Sequence, residues 1–318
     1  MLKKMEEFLE FYTNTVDAHI LLDGFTSGFK VNYEGPRCSY DSINLISARE
    51  HEQQLEEQNY REIREGRIAG PFCNKPFNNF RISPIGLVPK KDGGWRLIQH
   101  VSYPLGNSVN SYIDPDLSSV EYTSFDKVLN TISGIGQGAV LACMDINSAF
   151  RLLILSPEDF ELFGFKFKGL YFYDKCLPMG CSASCAVFEK FSSFLDWAIK
   201  ERSGFESIEH YLDDFLFAGR ADSSECTNLM SNFSSLCQEL GIPLAVENTI
   251  GPSCVITFLG LEIDTLERVI KILPPKLSEV QQKLIETLNK KKITLKDLQS
   301  YWFAECLRTH ARTRNTSC

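Results

Sequence analysis

Hydrophobic positions along this chain switch repeatedly between helical spacing and strand-like runs, a pattern that predicts an α+β domain. From Ser184 onward, Val187, Phe188, Phe191, Phe194, Leu195, Ala198 and Ile199 form a stripe at helical spacing, so a core-facing helix is expected there. Residues 223–240 carry a second helical pattern closed by Gly241, and Ser47–Glu65 reads as a charged helix ended by Gly66. After Pro274-Pro275, Ser278 and Gln281 form a capping box for a helix bearing Val280, Leu284 and Leu288. Thr294 and Asp297 offer a weaker start for a last helix. Residues 1–40 join a short amphipathic start to Gly24, Gly28, Gly35 and Pro36, and are expected to be an irregular lead-in.

Strand signals lie between the helices. Ile85–Pro89 and Trp95–Ile98 flank the turn-rich Lys90-Lys91-Asp92-Gly93-Gly94, which predicts a hairpin with a basic tip. Leu162–Tyr173 alternates around Gly169 as a further hairpin, and Val255–Ile263 reads as one strand with a bend at Gly260. Ser156, followed by Pro157, Glu158 and Asp159, has the residues of a capped helix start. Pro71, Pro76 and Pro84 hold an extended path. The run Gly134-Ile135-Gly136-Gln137-Gly138 precedes a strand instead of opening a helix, so a dinucleotide loop is discarded.

Two apolar blocks carry acids at their ends. Asp213 and Asp214 interrupt Ile208–Phe217, which predicts two short strands joined by a tight turn with the acids at its tip. Like charges on an apolar hairpin repel, and a bound cation is the simplest reason to keep them. The competing reading is a plain turn, because Asp tolerates turn dihedrals. Asp145 ends another apolar run, Ala139–Met144. Three carboxylates at strand ends could hold two Mg²⁺ ions for phosphoryl transfer.

Composition narrows the class. With 318 residues, 43% hydrophobic and 23% charged, the chain is an ordinary globular sequence, long enough for two or three subdomains. No apolar stretch approaches the roughly 20 residues that span a bilayer, so no membrane partner is expected. The N-terminus turns acidic where a signal peptide needs an apolar core, and eleven cysteines then point to reduced thiols in the cytoplasm or nucleus. Cys181 and Cys185 lack a second pair and the five histidines are scattered, so zinc is not expected. A net charge of −8 counts against a nucleic-acid partner, yet Arg81, Lys90, Lys91 and Arg96 cluster, as do the basic residues from Lys276 to Arg314. Taken singly, each basic group reads as a solvated face.

At this point ordered motifs accumulate. Asp145-Ile146-Asn147-Ser148-Ala149-Phe150, Leu177-Pro178-Met179-Gly180-Cys181-Ser182-Ala183-Ser184, Tyr211-Leu212-Asp213-Asp214 and Phe258-Leu259-Gly260 occur in the order seen in reverse transcriptases. The hairpin Val88–Ile98 resembles the fingers motif of that family. Gly66–Phe72 and Ser102–Gly106 direct the resemblance to DIRS-like retrotransposons, which move by a tyrosine recombinase.

The resemblance implies a right-hand polymerase fold: fingers, a palm whose antiparallel sheet is backed by helices, and an incomplete thumb. Residues 1–65 would be a lead-in with its charged helix, 66–138 mainly fingers, and 139–273 mainly palm with a fingers part interleaved about 157–178. Residues 274–318 would start the thumb and end in a divergent basic tail. The implied activity is that of an RNA-directed DNA polymerase, using two Mg²⁺ ions (Mn²⁺ as a substitute), an RNA or DNA template with its primer, and deoxynucleoside triphosphates. Asp145 and Asp213 would ligate both ions, with Asp214 assisting and the Ile146 carbonyl completing one shell. Lys90 and Arg96 would reach the triphosphate, where fixed positive charge stabilises developing negative charge. Phe150 would lie beneath the sugar and exclude a 2′-hydroxyl, although it also reads as a core Phe. Met179 and Gly180 would line the nucleotide and template side, and Phe258, Leu259 and Gly260 would form the primer grip, a strand that also reads as plain core.

Three departures stand out. Asn248 occupies a place where many relatives carry a Lys that can protonate pyrophosphate, and Asn cannot be a general acid. Met179 replaces a commoner Gln or Phe. Beyond Gln299-Ser300 the resemblance fades, so a truncated or frameshifted copy is expected. Two other classes compete. A non-catalytic nucleic-acid-binding remnant is favoured by Asn248, the short thumb and the acidic balance. An RNA-dependent RNA polymerase shares the palm acids but is opposed by Phe150.

Overall fold

The stripe from Ser184 onward folds as a helix, Ser182–Ser203, with Phe188, Phe191, Phe194, Leu195, Ala198 and Ile199 all buried. In the computed structural model, residues 2–90, 93–290 and 292–294 are described. The chain divides into two compact units, one of Met1–Tyr122, Ile146–Ala198 and Gln238–Pro243, the other of Thr123–Asp145, Ile199–Cys237 and Leu244–Cys318. Among the described residues no helix is long and apolar enough to cross a membrane.

In the first unit, Ile85–Pro89 and Trp95–Gln99 pair antiparallel as the expected hairpin, while Lys91 and Asp92 of its tip lie outside the described residues. The second expected hairpin, Gly164–Phe167 with Leu170–Asp174, turns at Lys168 and Gly169, both at positive φ (49° and 80°), and Ile68–Phe72 adds as a third antiparallel strand. Leu55, Ile68, Ile85, Leu87, Phe165 and Phe172 pack together in its core. The charged helix forms in two pieces, Ile46–Glu50 and Glu52–Arg64, broken at His51, whose ring lies 4.1 Å from that of Trp95.

Residues 1–40 differ from the irregular lead-in expected. They contain helices Leu2–Leu9 and Thr15–Ser27. Asn14 caps the second by accepting from the Asp17 N–H, and Ala18, Leu21 and Gly24 are buried along it. Gly24 is there for packing: a Cβ on it would fall 2.2 Å from the Phe29 ring. Ser156 also departs from expectation. It precedes a 3₁₀ helix, Pro157–Leu162, without a side-chain capping bond.

A buried ion network braces this unit. Arg151, on the turn Ala149–Leu152, donates to Glu62 at 3.1 Å and to Asp174 at 2.7 Å, tying helix Glu52–Arg64 to strand Leu170–Asp174. Burial opposes the guanidinium charge, but Asp174 and then Glu62 outweigh it and hold the pKa above its ordinary value.

The second unit centres on a four-stranded antiparallel sheet in the order Ile208–Tyr211, Asp214–Gly219, Val140–Asp145, Ile250–Ser253. Leu141, Cys143, Leu216 and Ala218 join Val128 and Ile132 of helix Phe125–Ile135 on one face. Phe215 and Phe217 meet Phe233 at 4.6 and 5.2 Å on the other. Cover on both faces is why these strands read as continuous apolar runs instead of alternating ones. Helix Phe125–Ile135 escaped the sequence reading, although Ser124 accepts from the Lys127 N–H as its cap and Asp126 lies in its first turn.

Two further expectations are corrected. Val255–Ile263 is not one strand but a hairpin, Val255–Phe258 with Leu261–Asp264, turning at Leu259 and Gly260 with φ of 49° and 79°. Two successive positive-φ residues make the tight turn that matches strand twist. Val269–Ile272 extends this sheet. The helix after it is Pro274–Leu288, begun by its prolines and not by a capping box, for Ser278 sits inside it and donates to the Pro274 carbonyl at 3.0 Å. The later start at Thr294 and Asp297 runs into residues outside those described.

Candidate active site

Strand pairing brings the acids to one end of the four-stranded sheet. Asp145 is the last residue of its strand and lies directly opposite Asp214, the first residue of the neighbouring one. Asp214 also pairs with Tyr211, so the hairpin turns through Leu212 and Asp213, with Leu212 at φ +53°. The two-residue turn thus sets Asp213 beside Asp214 at the sheet end where Asp145 emerges.

Lost solvation and crowded charge both act on Asp214. Loss of solvation first, then Asp213, then Asp145, push the Asp214 carboxyl from its ordinary value near 3.8 up to about 6. Beneath it, burial and then Asp214 push the Cys143 thiol up to about 12. Asp145 is tied down twice: its backbone carbonyl accepts from the Ala245 N–H at 2.8 Å, and its Oδ2 accepts from the Asn248 side-chain amide at 2.7 Å. Ile146, whose carbonyl is a candidate ligand, is buried.

Carboxylate and carbonyl oxygens are the donors a hard divalent cation takes, and like charges held together fit such an ion. Among the described residues, however, no three His, Cys, Asp or Glu side chains close into a metal cage. Mg²⁺ is commonly held by one or two carboxylates plus substrate phosphates, so an open carboxylate pair suits it.

The shift at Asp214 has a consequence for stability. Its folded pKa lies above the unfolded one, so the ionised group costs stability that is absent below about pH 4 and complete above about pH 6 to 7. Asp214→Asn removes the cost. The variant is expected to be more stable than wild type by about 1 kcal/mol at pH 8, after discounting for solvent at an exposed residue, and no more stable below about pH 4. Thermal denaturation in a chelator at the two pH values checks this.

The nucleotide-side candidates belong to the first unit. Lys90 and Arg96 are exposed, Arg96 on the strand paired with Val88, and among the described residues neither side chain makes an ion pair. The Phe150 ring is half-buried, 5.1 Å from Phe188, so it has both a packed and an open side. Met179 is half-buried and Gly180 exposed with φ +102°, where a Cβ would meet the Gln99 carbonyl at 3.1 Å. Asn110 was missed in the sequence. Its amide donates to the Gly180 carbonyl at 2.7 Å and to Ser102 Oγ at 2.8 Å, and it accepts from the Ser182 N–H, joining the Leu177–Ser184 motif to the Ser102–Gly106 motif. Its only sequence signal was nearness to the Ser102–Gly106 motif. In the second unit, Phe258 is buried in the core cluster, whereas Leu259 and Gly260 form the hairpin turn.

The sequence and the fold both resemble known proteins. Residues 88–263 match the family described as reverse transcriptase (RNA-dependent DNA polymerase). The chain is 26% identical over 192 residues to the Gag-Pro-Pol polyprotein of Mason-Pfizer monkey virus, which covers 57% of the chain and 10% of the polyprotein. It is 24% identical over 221 residues to the Pro-Pol polyprotein of Simian foamy virus type 1, covering 67% of the chain and 18% of that relative. The chain therefore spans a small part of each curated relative. A foamy viral protease-reverse transcriptase solved in complex with RNA/DNA hybrid has a TM-score of 0.61 at 16% identity, over 95% of this chain and 39% of that one. Another, in complex with double-stranded DNA, has a TM-score of 0.60 at 18% identity, over 94% and 50%. These likenesses show the right-hand polymerase fold. The matched segment covers more than half of the sequence and contains all three acids, and the chain belongs to the reverse transcriptase family.

Proposed function

We propose that this chain carries the polymerase activity of an RNA-directed DNA polymerase from a retrotransposon of the DIRS-like kind. It would extend a primer 3′-hydroxyl with deoxynucleoside triphosphates on an RNA or DNA template. The observation that carries this is the Asp145–Asp214 register with Asp213 in the adjoining turn, which gathers negative charge at one sheet end. Divalent ions are general to the family; two Mg²⁺ bound here would activate the hydroxyl and neutralise the triphosphate. Asp145 and Asp213 would hold both ions, with Asp214 and the Ile146 carbonyl assisting. Lys90 and Arg96 would bind the triphosphate, Met179 and Gly180 would line the base and template, and Leu259 and Gly260 would present the primer-grip turn, with Phe258 as its buried anchor. On this reading, residues 66–138 are mainly fingers, 139–273 mainly palm with a fingers part interleaved about 157–178, and 274–318 the thumb start and divergent basic tail, of which 291 and 295–318 lie outside the described residues.

The test is primer extension on homopolymer RNA with Mg²⁺. DNA synthesis is expected; salt-dependent binding without any synthesis would mark a non-catalytic remnant, the reading favoured by the net charge of −8. Use of ribonucleotides in preference to deoxynucleotides would mark an RNA polymerase. Phe150→Ala is expected to relax sugar discrimination by about ten- to a hundredfold, since an open pocket no longer rejects the extra hydroxyl. The ratio of kcat/KM for the two sugars reads this directly, and an unchanged ratio removes the gate role from Phe150.

A further inference from the structure

We propose that Asn248 is a positioning residue for Asp145, a neutral donor that fixes one carboxylate oxygen while leaving the acid its full charge for a divalent cation. The inference rests on reading Asp145 as a metal-binding carboxylate. Asn248 Nδ2 donates to Asp145 Oδ2 at 2.7 Å. The segment bearing that amide is fastened to the same residue, since the Ala245 N–H donates to the Asp145 carbonyl at 2.8 Å and the Asn248 N–H donates back to Ala245 at 2.9 Å. Val246–Asn248 forms one 3₁₀ turn, and the strand that follows pairs with the Asp145 strand, Ile250 opposite Cys143. Main chain and side chain of Asp145 are therefore both held by one short loop, itself kept in register by the sheet.

The chemical identity of the donor matters. Asp145 already lies beside Asp214 and the Asp213 turn, so a cation is attracted by their summed charge. A neutral amide orients the carboxylate without cancelling any of that charge. An ammonium on the same loop would form an ion pair with Asp145 and compete with the metal. Asn248 is exposed, so replacing it removes little packing.

Mn²⁺ binding to the full-length chain, followed by the electron paramagnetic resonance signal of the free ion without primer or nucleotide, tests this. Wild type, Asn248→Ala, Asn248→Lys and Asp145→Asn are compared, with thermal denaturation confirming that each is folded. The expected order is wild type tightest, Asn248→Ala weaker by about threefold, and Asn248→Lys weaker by about tenfold. Any other order among those three overturns the proposal. If that happens while Asp145→Asn weakens binding, the active-site reading stands without a role for Asn248. If Asp145→Asn binds Mn²⁺ like wild type, the active-site reading itself fails and takes the proposal with it.

Discussion

Asp145→Ala and Asp213→Ala are each expected to lower primer extension by about three orders of magnitude, the scale of losing a preorganised charge at a reacting centre. The fold should survive both changes. Neither side chain is in the core: Asp145 ends its strand and Asp213 occupies a turn, and both residues keep exposed surface. Removing either one also relieves repulsion on Asp214, whose carboxyl both of them push upward. Its pKa should drop part of the way back, since lost solvation, the largest cause, remains. Stability in metal-free buffer at pH 8 should rise slightly for Asp213→Ala, whereas Asp145→Ala also gives up the bond from Asn248. Single-turnover extension with saturating Mg²⁺, run beside thermal denaturation, separates lost chemistry from lost structure. Equal extension by wild type and both variants would refute the assignment of these acids.

The legible parts of this molecule were the ones written in local pattern. The hairpin around Asp213 and Asp214 showed because two acids interrupt an apolar run, and Ser182–Ser203 showed because its stripe has a strict helical period. What pairs with what was not local. Nothing in the runs ending at Asp145 and beginning at Asp214 states that those two residues lie opposite each other; that is fixed by the faces covered by Val128 and Ile132 on one side and Phe233 on the other. The motif resemblance supplied the association that periodicity could not.

Misreadings have physical causes too. Gly24 and Gly28 disguised helix Thr15–Ser27, although Gly24 is buried under Phe29 for packing and does not break the helix. The turn at Leu259 and Gly260 was read as a bend because Leu, a poor left-handed residue, holds the first turn position. The bond from Asn248 to Asp145 spans 103 residues, and the sequence showed only that Asn stood where a Lys is common.

Arg151→Ala is expected to destabilise the chain by about 3–5 kcal/mol, a large share of the total for any domain. The side chain is only 13% exposed, and truncating it leaves Glu62 and Asp174, themselves 11% and 9% exposed, facing each other without the guanidinium between them. Two buried carboxylates in that position must protonate or rearrange, and helix Glu52–Arg64 loses its fastening to strand Leu170–Asp174. Arg67 cannot replace the missing charge in full, because it reaches Glu62 at 3.6 Å but is already engaged by Glu65. Arg151→Lys should recover part of the loss, since an ammonium restores charge but not the fork that serves both acids at once. Urea denaturation of the three proteins at pH 7 orders them wild type, Lys, Ala. A midpoint for the Ala variant equal to that of wild type would mean that the network contributes nothing to holding this unit together.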